Sequence, residues 1–326
     1  MTSLSRTSPI SFSAISGQQK AKLIWQRIFS TGRMAHAYLF RGPDGVGKQL
    51  CAKIIAAHLH CLQPTGDGGC GTCTSCRKYA SNNHPDITII NPEGGTIKID
   101  RVRELCRSLA YPPYESEIRV IVIEDVHTMR VEAANSLLKT LEEPPKNNLL
   151  ILTAESSREV LPTIISRCQV IPFYGLSTTQ TAAILSEVSD VEPKEAELLA
   201  RLSEGSPGKA LLFREHGLID LWSSVQHIIE QTPKHDDDLV QQIMEQAEQM
   251  AALKENILPL LGLIRLWVRD QMVGTGAADD TMTKDCEAKL YALDQAERQL
   301  ARNCNRGLVC EVLLFNLQSP EPRVFL

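Results

Sequence analysis

"HAYLFRGPDGVGKQL", residues 36–50, decides the fold. A short apolar run from His36 enters a glycine-rich loop, and "VGKQLCAKIIAAHLHC" continues with helical spacing, placing Leu50, Ile54, Ile55 and Leu59 near one face. Strand, loop, helix is the context in which G-x-x-x-x-G-K holds phosphate. Gly42, Gly45 and Gly47 permit the tight turns that aim backbone N–H groups at an anion, the helix N-terminus adds positive potential, and Lys48 reaches the terminal phosphates. The pattern fails at its last position. Gln49 stands where a Ser or Thr hydroxyl would bind Mg²⁺, so hydrolysis is weakened before binding is. ATP or ADP at Lys48 is one expectation, and a glycine loop that binds no nucleotide is the other.

A second strand is expected in "EIRVIVIEDVHTM", where Val120–Ile123 form a continuous apolar run followed at once by carboxylates. Open α/β sheets bind ligands at such strand ends. An active ATPase of this type uses Asp then Glu there, to hold the metal's water shell and polarise the attacking water. This chain has Glu124 then Asp125, each one methylene wrong for its task. On its own the swap reads equally well as surface acidity; with Gln49 it points to one edited site.

Between these strands "IKIDRVRELCRSLAYPPYE" predicts a helix capped by Asp100, with Val102, Leu105, Cys106 and Leu109 inward and Pro112-Pro113 as a stop. "NLLILTA" (148–154) and "CQVIPF" (168–173) are two further core strands. Strands alternating with helices imply an α/β fold with a parallel three-layer sheet.

The 326 residues leave room for two or three domains, and 43% apolar with 22% charged is a globular composition. No apolar run reaches membrane length and the N-terminus lacks a signal-peptide pattern, so the cytoplasm is the expected location. A formal charge of -5 argues against a stand-alone DNA binder. Of ten cysteines, Cys61, Cys70, Cys73 and Cys76 crowd together. Four soft ligands close a tetrahedral Zn²⁺ site with no open position, hence a structural one in a reducing compartment. His58, His60 and His84 beside them are expected to be packing or exposed residues rather than ligands.

Several stretches together carry a resemblance: "HAYLFRGPDGVGK", the four-cysteine spacing, "ANSLLKTLEEPP" (134–145) and "TIISRC" (163–168). The chain resembles the AAA+ clamp-loader subunits of bacterial DNA polymerase III along most of its length. The resemblance implies that Arg167, in Ser166-Arg167-Cys168, acts in trans on phosphate bound by a neighbouring subunit, since an arginine there stabilises the developing charge. Read alone, Arg167 is equally a structural ion pair. The family has motor subunits that hydrolyse ATP and a type that usually does not. Gln49, Glu124-Asp125 and Gly208, which stands where motors carry a sensor arginine, place this chain with the second type. The sensor-1 position aligns to Thr153 or Ala154.

The implied architecture is an AAA+ nucleotide-binding domain over 1–174 with a zinc module inserted at 61–76, a helical lid over 175–217 and a helical collar for oligomerisation over 218–326. "TPKHDDD" and "GTGAADD" break the collar helices, and Asp236–Asp238 is a solvated loop or helix start. In the last helix Leu308, Val309, Val312, Leu313 and Phe315 are too many for one narrow stripe, so one side is expected to meet other helices or subunits, and plain intramolecular packing would look the same. The implied work is non-motor: to support ATP-dependent loading of the sliding clamp onto primed DNA, in a ring with gamma/tau motor subunits and delta, touching DNA and clamp through the complex. The alternative is a motor-type ATPase in its own right.

Overall fold

The computed structural model describes residues 10–156, 160–189, 191–231, 237–274 and 280–318. These fall into two compact units, one through Gly208 and one from Lys209.

The first unit is built on β1 (Ala37–Arg41), β2 (Ile87–Ile90), β3 (Arg119–Ile123), β4 (Asn148–Ala154) and β5 (Gln169–Pro172). They form one sheet in the order β2-β3-β4-β1-β5, with every pairing parallel. The register sets Ala37 beside Leu150, Tyr38 beside Gln169 and Arg119 beside Asn148. Alternation along the strands divides the core. Tyr38, Phe40, Val120, Val122, Leu149 and Ile151 face one layer with Trp25 and Ile54, while Leu39, Ile121, Ile123, Leu150 and Leu152 face the other with Leu105 and Leu137. β4 is buried at every position, as a strand covered on both faces must be.

The first layer holds α1 (Gln19–Thr31) and α2 (Lys48–His60); the second holds α4 (Ile99–Ser108), α5 (Val131–Glu142) and α6 (Pro162–Ile165). α3 (Thr74–Ala80), α7 (Thr178–Ser189), α8 (Pro193–Leu202) and the start of α9 (Pro207–Glu215) complete this unit. The sequence reading missed β2, four residues too short to show a period and flanked by Asp86 and Asn91-Pro92. It also understated one detail and misplaced another. α2 is covered more widely than one face, since Cys51, Ala52, Ala56 and Ala57 are buried with Ile54 and Ile55 while Leu50 and Leu59 are only part-buried. Lys98, not Asp100, is the N-cap of α4, without a side-chain bond, and Asp100 lies in the first turn, where its charge suits the helix dipole.

The second unit is helical: the rest of α9, then α10 (Leu218–Glu230), α11 (Asp237–Ala252), α12 (Ile257–Gly274), α13 (Asp280–Ala301) and α14 (Arg306–Gln318). Its core includes Trp222, Leu260, Leu261, Ile264, Leu293 and Leu314. On α14, Val309, Leu313 and Leu317 are buried, whereas Leu308, Val312 and Phe315 are 60%, 46% and 41% exposed, so its apolar residues do form two faces. Residues 232–236, hence Asp236, and 275–279 lie outside the described residues. Among the described residues no helix is long and apolar enough to cross a membrane.

Candidate functional site

The nucleotide-type site grows from the end of β1. Gly42 donates its N–H to Ala154 O at 3.1 Å, and a Cβ on Gly42 would stand 2.2 Å from Phe173 O, so only glycine lets the loop leave between β4 and β5. Gly45 and Gly47 have φ of 71° and 99°, and Gly47 is the N-cap of α2. Lys48, nearly buried, donates from Nζ to Gly42 O and Pro43 O, each at 2.8 Å. This half fits an anion: backbone donors at a helix N-terminus with an ammonium inside the turn.

The metal-holding half does not fit. Gln49 donates from Nε2 to Glu124 Oε1, so the amide is tied to the carboxylate rather than offering a hydroxyl. Burial raises the Glu124 carboxyl above its ordinary range despite that bond, and burial with the nearby Asp44 charge raises Asp125. Asp125 is held in the left-handed region, φ 49°, and donates its N–H to Thr153 Oγ1 at 3.0 Å. Thr153 is therefore the polar residue at the tip of β4, while Ala154 offers only its carbonyl to Gly42.

Ser206 and the start of α9 close over the loop. Ser206 Oγ donates to Asp44 O at 2.7 Å, and Gly208 N–H donates to Gly45 O at 3.0 Å. A Cβ on Gly208 would lie 2.6 Å from Gly45 Cα, so no side chain fits there. From the other side Gln18, 7% exposed, spans the loop and the end of the sheet. Its Nε2 donates to Val46 O at 3.2 Å and Tyr174 O at 2.7 Å, and its Oε1 accepts from Tyr174 N–H at 3.1 Å. The sequence reading did not find Gln18 or Ser206. Each is an ordinary polar residue far along the chain from what it holds, and no local pattern marks either.

At the other end of α2 the four cysteines converge. The Sγ atoms of Cys61, Cys70, Cys73 and Cys76 all lie within 4.8 Å of one another, with Cys61 and Cys73 at 3.9 Å. Tetrahedral thiolate ligation of Zn²⁺ at about 2.3 Å implies sulfurs roughly 3.8 Å apart, so the donor set fits such an ion. Backbone N–H groups already point at the sulfurs: Cys70 N–H to Cys61 Sγ at 3.1 Å, and Cys73 and Cys76 N–H to Cys70 and Cys73 Sγ at 3.4 Å each. The N–H groups of Thr72 and Cys73 bring the Cys70 thiol down to about 6, while burial pushes Cys76 up to about 12. This group can hold a metal ion. The three histidines pack as expected: His58 stacks on Phe29 at 3.5 Å, and His60 on His84 at 4.4 Å.

Arg167 sits apart from the glycine loop, on the turn after α6. Its Nη1 donates to Thr163 O at 2.9 Å and Ser166 Oγ at 3.2 Å, and its Nη2 to Glu142 Oε1 at 2.5 Å. Its side chain is 33% exposed.

A family profile described as "DNA polymerase III, delta subunit" matches residues 17–177. DNA polymerase III subunit delta' of Pseudomonas aeruginosa is 34% identical over 320 residues, covering 89% of this chain and 94% of that protein. The chain belongs to the DNA polymerase III delta prime family. DNA polymerase III subunit delta' of Bacillus subtilis is 38% identical over 182 residues, 56% of this chain and 54% of that protein. The crystal structure of a DNA polymerase III gamma subunit-related protein from Thermotoga maritima shares the fold, with a TM-score of 0.50 at 17% identity over 91% of this chain and 98% of that one. The parallel three-layer sheet expected from the sequence is the fold of this delta prime family member.

Proposed function

We propose that this chain is a non-motor subunit of the clamp loader that supports ATP-dependent placement of the sliding clamp on primed DNA, and that it supplies Arg167 in trans to ATP held by a motor neighbour. The observation that carries the reading is the closed P-loop: Gly208 rests on Gly45 with no room for a sensor arginine. The bond between Gln49 and Glu124 supports it, because both groups that would hold Mg²⁺ are engaged with each other. Arg167 is 33% exposed and stands away from this loop, as a group serving another subunit must.

In this reading residues 1–174 form the AAA+ module, 175–217 the lid and 218–326 the collar through which the ring assembles with gamma/tau and delta subunits in the cytoplasm. Zn²⁺ at Cys61, Cys70, Cys73 and Cys76 is structural, since four thiolates leave no position for water. ATP or ADP binding at Gly42, Gly45, Gly47 and Lys48 is without consequence for turnover, as the chain lacks the parts that hold the metal and the attacking water.

The test is steady-state ATP hydrolysis by the isolated chain, and by the complex reconstituted with motor subunits, wild type against Arg167→Ala. No turnover by the isolated chain, with a fall in the complex on removing Arg167, is expected. Turnover by the chain alone, indifferent to partners, would establish the motor-type alternative.

A further inference from the structure

We infer that Glu142 is a positioning residue for Arg167, holding its guanidinium in the orientation in which it meets the neighbour's phosphate; this rests on the trans-acting reading of Arg167. Glu142 ends α5, one residue after Leu141, which is buried in the core. That places a carboxylate at the negative end of a helix dipole, where an anion is disfavoured. Nothing in the stability of α5 calls for it. What it meets is Arg167, 25 residues on, brought alongside because α6 packs against α5.

The three bonds on Arg167 divide by origin. Both acceptors of Nη1, Thr163 O and Ser166 Oγ, belong to its own turn and fix one end of the guanidinium plane. Among the described residues, Nη2 is fixed by Glu142 Oε1 alone, from a different element. Without that contact the plane can swing about the anchored nitrogen. A planar fork already oriented loses little freedom when it engages phosphate, whereas a swinging one must be immobilised as charge develops. Among the described residues three of the five N–H donors are used, so the guanidinium can engage phosphate while still held. The carboxylate is 47% exposed, so the pair itself adds little to stability, and its effect falls on rate rather than on folding.

The experiment uses the full chain in the complex with motor subunits and compares wild type, Arg167→Ala, Glu142→Ala, Glu142→Gln and the double variant Glu142→Ala/Arg167→Ala. The expected result is that Glu142→Ala lowers the Arg167-dependent part of kcat about fivefold, the scale of an exposed ion pair, with KM for ATP unchanged. Glu142→Gln, which keeps an acceptor oxygen, recovers part of the loss, and the double variant turns over like Arg167→Ala. Three outcomes overturn the inference alone: Arg167-dependent turnover unchanged or raised in Glu142→Ala, a double variant worse than Arg167→Ala, or a loss matched by a fall in the melting temperature of the isolated chain. Unchanged turnover in Arg167→Ala would instead remove the trans-acting reading itself, and this inference with it.

Discussion

The two ends of α2 carry two candidate sites held in opposite ways. At its C-terminal end Cys61 meets Cys70, Cys73 and Cys76, all supplied within one short stretch, and the donor set is complete. At its N-terminal end the glycine loop is intact, but what surrounds it comes from Gln18, Glu124, Asp125, Thr153, Ser206 and Gly208, spread along the first unit. A local quartet needs only flexible chain between its ligands. A phosphate-transfer site needs many distant groups correct at once, and here Gln49 is tied to Glu124 and Gly208 closes on Gly45 although the sheet beneath them is complete.

Metal removal tests the complete end and carries the largest expected effect. Structural Zn²⁺ sites contribute on the order of 10 kcal/mol at pH 7, so chelation should strip the order from 61–76. It should also loosen residues 10–12, which are bonded to the same module: Phe12 N–H donates to Asp67 O at 2.9 Å and Gly69 N–H to Ile10 O at 2.8 Å. Amide exchange should show both segments losing protection while β1, β3 and β4 keep theirs. Elemental analysis that finds no metal on the native chain, or exchange unmoved by chelator, would break the comparison.

Next in size is Asp86, which ties the sheet to the loop after α4. Fully buried, it accepts from the N–H groups of Tyr114, Glu115 and Ser116. Asp86→Ala strands these donors and should cost about 3 kcal/mol or more, read as a shift in the denaturation midpoint. Burial alone would raise the Asp86 carboxyl, but the three N–H donors outweigh it and hold it below the ordinary range. Its contribution is therefore full above the usual carboxylate pKa and is lost as pH falls through the lower folded value. A wild type whose acid unfolding matches that of Asp86→Asn would contradict this.

Restoring the motor arginine probes the altered end. Gly208→Arg must displace the turn from Gly45 and should destabilise the first unit by about 1–3 kcal/mol, without creating ATP turnover. A stable Gly208→Arg chain would show that the closure is soft. The smallest effect is expected from Gln49→Thr, which returns the hydroxyl but releases Glu124. Its stability should change by under about 1 kcal/mol, and hydrolysis by the isolated chain should stay absent because Glu124, Asp125 and Gly208 remain. Turnover appearing in Gln49→Thr alone would mean that one hydroxyl separates this chain from a motor.

Much was legible without coordinates. β1, β3 and β4 announce themselves because strands covered on both faces are largely apolar, β5 by its Val170-Ile171 pair, and β4 runs over the residues that "NLLILTA" spells. The cysteine quartet is legible because its ligands are close in sequence. β2 was not, since its short run stands between Asp86 and Asn91-Pro92 and its place at the sheet edge depends on pairing with β3.

By itself, then, the sequence determined the parallel three-layer sheet, the glycine loop, the quartet and the missing hydroxyl, all of which rest on periodicity, residue type and short spacing. Only the tertiary structure decided that Gln49 bonds Glu124, that Gly208 seals Gly45, that Gln18 staples the loop to Tyr174 and that Glu142 holds Arg167. Each of these joins residues from different elements, and which side chains meet is set by how those elements pack, to within an ångström, rather than by any pattern along the chain.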